Sequence, residues 1–305
     1  MKYHHLRALV AIAEHSSLRA AARAIHVSQP ALTKAIRELE LDIGVPVVVR
    51  SARGTQLTHF GRAIHARARL ILAEMQHIRD DVQQLSGATD GCVACALTPL
   101  ISLGILPSAL DAFRKRMPKI QLDIREGFLD SMLPRLRDGT LDFVIGIVDM
   151  TDQSLEFSFQ PLLESELVLL TRASNPLGRC ESIAQLQHAE WVLNTSPNSI
   201  GRLLQNFFAE HGYAPPRPIV ECTSFSAAFS LSVHSDTVSC APKSFLDVDW
   251  IRERMVAIPI REQLPTVPVG ILTRRDSLNT SACDYLIHCF VEAARQDKNV
   301  KLLWQ

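Results

Sequence analysis

No run of eighteen consecutive apolar residues occurs in the chain, so no transmembrane helix is expected. No apolar stretch follows Lys2, His4, His5 and Arg7 into a small-residue cleavage site, so no secretory leader is expected and the cytoplasm is the default compartment. GxSxG, a P-loop, a dinucleotide glycine motif and HExxH are all missing, so no catalytic residue, cofactor or metal is assigned and an enzyme is not expected. The seven cysteines are an odd number in a cytosolic-looking chain, which argues against a disulfide framework. Cys92-Val93-Ala94-Cys95 has redox-motif spacing. It lies in an apolar, strand-like run with no second Cys pair and no His at metal spacing, so it reads as buried small hydrophobes.

What the chain has is length, apolar content and a polarity of charge. Its 305 residues, 47% of them apolar, suffice for two or three domains with their own cores. The zero net charge conceals an asymmetry: residues 1–87 carry 12 Lys and Arg against 7 Asp and Glu, and residues 88–305 carry 20 against 25. A basic end on an acidic body suggests a polyanion-binding module joined to something else.

Within the basic end, Leu6, Leu9, Val10 and Ala13 share one face of a helix over 4–14. Ser16 and Ser17 offer a cap for a short Ala-rich helix over about 18–25, and His26-Val27 makes a turn. Ser28 caps a third helix that tolerates Pro30 in its first turn, carries the stripe Leu32, Ile36, Leu39, Ile43, and ends at Gly44. Two short helices joined by a tight turn describe a helix-turn-helix. The outward face of the second carries Gln29, Thr33, Lys34 and Arg37, which suit base edges and phosphates in a major groove, and the Ser28 end has backbone donors for a phosphate. Residues 45–50 read as a strand, Ser51–Gly54 as a turn and Thr55–Leu57 as its return. This wing would set Arg50 and Arg53 on the DNA backbone or in the minor groove.

The run SLRAAARAIHVSQPALTKAIRELELDIGVPVVVRSARGTQLTHFG, Ser17 to Gly61, resembles the winged helix-turn-helix of the LysR-type transcriptional regulators. The likeness lies in the Ala pair, Ser28-Gln29-Pro30-Ala31-Leu32, the Ile36-x-x-Leu39-Glu40 stripe and Leu57-Thr58-x-x-Gly61. Thr33 replaces a common Ser, Val48 and Val49 a usual Leu-Phe, and His59 a common Pro.

Residues 59–86 read as one helix capped at Thr58. Ile64, Ala68, Ile71, Met75, Ile78, Val82 and Leu85 form a heptad seam, flanked by Arg62, Arg67, Arg69 and Arg79, that predicts a two-stranded coiled coil. Small residues at 86–91 form a hinge. From Cys92 on, strands alternate with helices: 92–97, 120–125, 141–148, 166–171, 190–194, 219–223, 237–240 and 267–273 as strands, with helices at 102–117, 129–137, 198–211, 224–233 and 281–294. Such alternation predicts α/β structure with parallel strands. Two crossings, near 162–165 and 265–270, would divide it into two lobes.

This body resembles the periplasmic-binding-protein-like effector domain of the same family, with LRDGTLDFVIG (Leu136 to Gly146) as the best local match. The implied fold is an all-α winged helix-turn-helix with a linker helix, followed by an α/β two-lobed periplasmic-binding-protein-like domain. The expected boundaries are 1–58 for the DNA-binding domain, 59–90 for linker and hinge, 91–162 with 271–305 for lobe I, and 163–270 for lobe II. Strand ends facing the cleft supply Thr98, Pro99, Leu100, Phe128, Asp149, Thr195, Ser196, Pro197, Thr223, Ser224 and Phe225 as effector-binding residues. Hydroxyls at helix N-termini, with Thr98 and Ser196 leading into them, point to a small organic anion. Asp149 instead suits a cation or water. The resemblance implies double-stranded promoter DNA, a second copy of the chain (a dimer, paired into a tetramer) and RNA polymerase as partners, with no membrane. An α/β enzyme, an exported solute receptor and a thiol redox regulator using Cys222 and Cys240 are the competing readings.

Overall fold

A computed structural model describes residues 1–15, 17–51, 54–85, 91–148, 156–197, 199–275 and 277–296. The chain divides into two compact units, one built on Met1–Ala88 and the other on Thr89–Leu136 with Leu141–Gln305. Among the described residues no helix is long and apolar enough to cross a membrane.

The first unit contains α1 (Tyr3–Glu14), α2 (Leu18–Ala24), α3 (Gln29–Ile43), β1 (Val48–Ser51), β2 (Gly54–Leu57) and α4 (His59–Leu85). It is helical with a two-stranded antiparallel hairpin, so "all-α" is corrected to that extent. Helices α2, α3 and α4 begin where hydroxyls satisfy orphan backbone donors. Ser17 accepts from Ala20 N at 3.2 Å, Ser28 from Ala31 N at 3.2 Å, and Thr58 from Gly61 N at 3.0 Å. The alternative cap Ser16 lies outside the described residues. His26, at φ 58°, turns the chain between α2 and α3, and Gly44, at φ 77°, ends α3. Leu6, Leu9 and Ile12 of α1 pack with Ala21 and Ala22 of α2 and with Leu32, Ile36 and Leu39 of α3.

The first strand starts at Val48 rather than 45, because Val47 N and Val48 N donate to Glu40 Oε1 at 2.8 and 3.3 Å. That long-range bond ties the end of α3 to the hairpin. The apolar stripe of α4 divides. Ala68 is buried, and Ile64 and Leu72 pack on the core, but Ile71, Ile78 and Val82 are 41, 63 and 58% exposed. The side chain of Leu85 and residues 86–90 of the expected hinge lie outside the described residues.

The second unit runs β3 (Cys92–Leu97), α5 (Pro99–Leu103), α6 (Leu106–Arg116), β4 (Gln121–Glu126), α7 (Leu129–Arg137), β5 (Phe143–Ile147), β6 (Phe157–Arg172) and β7 (Trp191–Leu193). It continues with α8 (Ile200–Glu210), β8 (Pro218–Glu221), α9 (Phe225–His234), β9 (Ser239–Pro242), α10 (Asp249–Arg252), β10 (Met255–Ala257), β11 (Thr266–Arg274) and α11 (Ser281–Gln296). A single helix expected over 102–117 is two, α5 and α6. The first stops at Gly104, and Pro107, which has no N–H to continue it, sits in the first turn of the second.

Strands β4, β3 and β5 are parallel, as are β7 and β8, but β11 and β6 join the sheet antiparallel, so the sheet is mixed rather than parallel throughout. The order is β10-β6-β11-β5-β3-β4, with β9 also on β6. The 16-residue β6 changes partner along its length. Residues 157–166 lie beside β11, and residues 167–172 pair with β9 and β10. The segments expected as crossings lie side by side, Glu166 opposite Thr266 and Leu163 opposite Val269. One core gathers Phe113, Phe143 and Phe290 with the buried face of α11, and another gathers Trp191, Leu204, Phe207 and Phe208.

Candidate nucleic-acid interface and ligand cavity

The buried residues of α3 are Leu32, Ala35, Ile36 and Leu39. On its other side Gln29, Pro30, Lys34 and Arg37 are exposed and Thr33 is half-buried. Gln29, Thr33 and Arg37 recur every four residues, so they share one helical face. Ser28, exposed, caps the same end. Lys34 Nζ lies 3.8 Å from Glu38 Oε1 and remains 77% exposed, so it can swing to a phosphate at little cost. Buried His5 bonds Glu38 Oε2 through Nε2 at 3.1 Å. That bond, with help from Lys34, holds the Glu38 carboxyl below its usual range. His4, His5 and Glu38 are a set whose ligand atoms, within 4.8 Å of one another, are close enough to share a metal, although His5 Nε2 and Glu38 Oε2 are already bonded to each other. In the wing, Arg50 pairs with Thr55 through the backbone. The Arg50 side chain and all of Arg53 lie outside the described residues.

The second unit holds a cavity of about 140 Å³. It opens at the carboxyl ends of β3, β5, β7 and β8, where Thr98, Ile147, Asn194 and Cys222 line it. Parallel strands leave such a crevice because the chain departs from each strand in a different direction. Its wall is aromatic and aliphatic: Phe128, Phe225, Phe229 and Phe245, with Leu100, Leu170 and Met255. Rings Phe225 and Phe245 are 5.0 Å apart. Asp130 is the single charged side chain among the described lining residues. The residue is exposed as a whole, and the partial burial of its carboxyl raises it above the ordinary value.

Helix α8 is capped by Ser199 rather than by Ser196. Ser199 Oγ accepts from Arg202 N at 3.3 Å and donates to the Asn194 carbonyl at 2.6 Å. Gly201 permits this approach, since a Cβ there would sit 2.2 Å from the same carbonyl oxygen. Ser224 caps α9 through Ala227 N at 3.4 Å. Thr98 makes no capping bond, and its buried Oγ1 is without a partner, as are Asn194 Nδ2 and the Ser232 hydroxyl. All three line the cavity.

A sequence model described as "Bacterial regulatory helix-turn-helix protein, lysR family" matches residues 3–62, and one described as "LysR substrate binding domain" matches residues 87–295. The chain belongs to the LysR family. The HTH-type transcriptional regulator GalR of Pseudomonas putida is 28% identical over 285 residues, covering 93% of this chain and 72% of that protein. PcaQ of Agrobacterium fabrum is 27% identical, covering 96% and 95%. The fold is similar to that of full-length CbnR complexed with its target DNA (TM-score 0.69, 24% identity, 97% of this chain and 99% of that one). A full-length OxyR variant from Pseudomonas aeruginosa is similar too (TM-score 0.70, 23% identity, 100% and 99%).

As a LysR-family protein the chain is a DNA-binding transcription regulator, not an enzyme, with an N-terminal helix-turn-helix and an effector domain. Of the residues expected at the effector site, Thr98, Pro99, Leu100, Phe128, Ser196, Pro197, Ser224 and Phe225 line the cavity. Thr195 and Thr223 do not: the Thr195 hydroxyl bonds Glu221 instead, and Thr223 is exposed. Asp149 lies outside the described residues. Sequence reasoning missed Asn194, Ser232, Phe229, Phe245 and Met255. Phe229 and Ser232 follow Phe225 at helical spacings of four and seven, a signal that was there to read. Phe245 comes from a 3-10 turn and Met255 from a three-residue strand, too short for periodicity.

Neither the Cys92–Cys95 spacing nor Cys240 favours redox chemistry. Residues three apart on a strand face opposite ways, so Cys92 and Cys95 diverge; Cys92 is exposed and Cys95 buried. Burial pushes the thiols of Cys95 and Cys240 up to about 12, far from the thiolate that reacts.

Proposed function

We propose that the chain regulates transcription in the cytoplasm by laying α3 in the major groove of promoter DNA. Gln29, Thr33, Lys34 and Arg37 meet base edges and phosphates, the helix end at Ser28 and Pro30 faces a phosphate with the Gln29 N–H, and Arg50 and Arg53 of the wing reach the backbone. The observation that carries this reading is the exposed polar row on a capped helix whose opposite side is buried. Two copies join along Ile71, Ile78 and Val82 of α4, an apolar row exposed among the described residues. Pairs of dimers then present reading heads to paired half-sites, where RNA polymerase is met.

A small organic molecule in the cavity acts as effector. Lobe II, 163–270, closes on lobe I, 91–162 with 271–305, and the ligand shifts the balance of two arrangements by its differential affinity for them. The anionic class expected from helix N-termini is not retained, because no Lys, Arg or His is among the described lining residues. Fluorescence anisotropy with labelled promoter fragments tests the reading. The wild type should bind with an affinity that falls steeply with salt, and Gln29→Ala with Arg37→Ala should lose sequence preference. Equal affinity and preference in that double variant would refute the assignment of α3.

A further inference from the structure

We propose that the cavity takes an uncharged, ring-sized compound carrying one or two hydrogen-bonding groups. This rests on the cavity being the effector site and names what the effector is. Its size is the first argument: about 140 Å³ is close to the ~150 Å³ cavity that holds one benzene. Its walls are the second, since Phe128, Phe225 and Phe229 offer flat apolar faces.

Charge decides the class. Among the described lining residues the single charge is the carboxyl of Asp130. A carboxylate entering here would lose water, gain no cation and meet a like charge. The helix N-termini offer less than a cation would: Ser199 and Ser224 each already take one backbone donor of α8 and α9, and α5 is five residues long.

The polar groups that remain match an uncharged ligand. Ser232 is 1% and Thr98 6% exposed, and each has a hydroxyl without a partner in the wall. Asn194 Oδ1 accepts from Ser196 N and Ser196 Oγ at 3.1 and 2.6 Å, which fixes the amide so that Nδ2 is the unpartnered donor. Buried polar groups without partners are rare enough to need an explanation, and a ligand oxygen provides one. A phenol, an aromatic alcohol or a carboxamide fits this pattern.

The test compares benzamide with benzoate, nearly the same shape with and without charge, by calorimetry on the full chain. Benzamide should bind more tightly by about tenfold or more, the scale on which an uncompensated buried charge is felt. Asp130→Asn should narrow that gap. Ala228→Phe, which fills the cavity, should abolish binding while DNA affinity is kept. Should that variant misfold, Ser232→Ala, which leaves the shape alone, should still weaken benzamide severalfold. Benzoate binding more tightly than benzamide, and lost in Ala228→Phe, would overturn the class while leaving the cavity as the site. Failure of benzamide to bind at millimolar concentration, or binding indifferent to both variants, would also overturn it. Benzamide that binds as expected yet leaves promoter affinity unchanged supports the class and counts against the effector role alone.

Discussion

Asn194 spends its side-chain oxygen on Ser196, twice, and keeps its amide N–H group for something else. Both residues belong to the loop after β7, where the chain turns from strand to helix. The loop thus orients a donor before any ligand arrives, which lowers the ordering cost of binding.

Ser232→Ala should make the unliganded protein more stable. A buried hydroxyl with no partner carries a desolvation cost, and replacing it by a methyl group should recover about 1 kcal/mol. Urea unfolding should show a higher midpoint for the variant without ligand. A lower midpoint would mean that the hydroxyl is satisfied within the fold.

Asp130→Asn should shift the Tm more favourably at pH 7 than in acid. Burial raises the native carboxyl above its unfolded value of about 4, so the native state holds its proton longer. That carboxyl therefore stabilises least above both values, and stability falls as pH rises through the native one. Thermal unfolding at pH 7 and at pH 4 measures the difference, and equal Tm shifts at the two values would contradict it.

Gly61→Ala should destabilise the first unit. A Cβ at this position would lie 2.0 Å from the Val47 carbonyl oxygen, which already accepts from Thr58 N. Forcing apart the hairpin and α4 should cost about 1–3 kcal/mol. Promoter affinity and Tm should fall together, and a variant with unchanged Tm would show that the junction yields freely.

Lys34→Ala should weaken DNA binding almost evenly across sequences and reduce the slope of log affinity against log salt by about one. Arg37→Ala should instead relax the preference at one position, at a cost of about 1–3 kcal/mol. Salt titrations on matched and mismatched fragments separate the two.

Ile78→Glu with Val82→Glu should turn the assembly into monomers in sedimentation velocity, with weaker promoter binding and an unchanged helical signal. These side chains are 63 and 58% exposed in the single chain, so charge there harms only an interface. A variant that sediments like the wild type would place the dimer contact elsewhere.

Local signals explain what is legible in the sequence. Ser28, Pro30 and Gly44 bracket α3 because caps and breakers act within one turn, and Cys92–Leu97 announces β3 by its apolar run. The start of β1 escapes such signals because Glu40, seven residues earlier, claims the amide of Val47. The antiparallel course of β6 beside β11 depends on pairing across about a hundred residues, which no window of sequence displays. At the cavity, strand ends are visible as Thr98, Ser196 and Ser224. The uncharged ligand proposed above rests instead on a property of the whole wall, the want of a cation among its described residues, that emerges only once Phe229, Phe245 and Met255 are brought around it.

The ladder between β6 and β11 also limits how the effector domain can signal. Slipping one strand along the other by a single residue would turn every side chain to the opposite face, exposing buried Leu163, Val267 and Val269 to water. Torsion of the ribbon costs far less, because it bends all the bonds slightly and breaks none. A rearrangement of this domain is therefore easier as a turn about the ladder than as a slide along it, in the manner of a key turning a shaft.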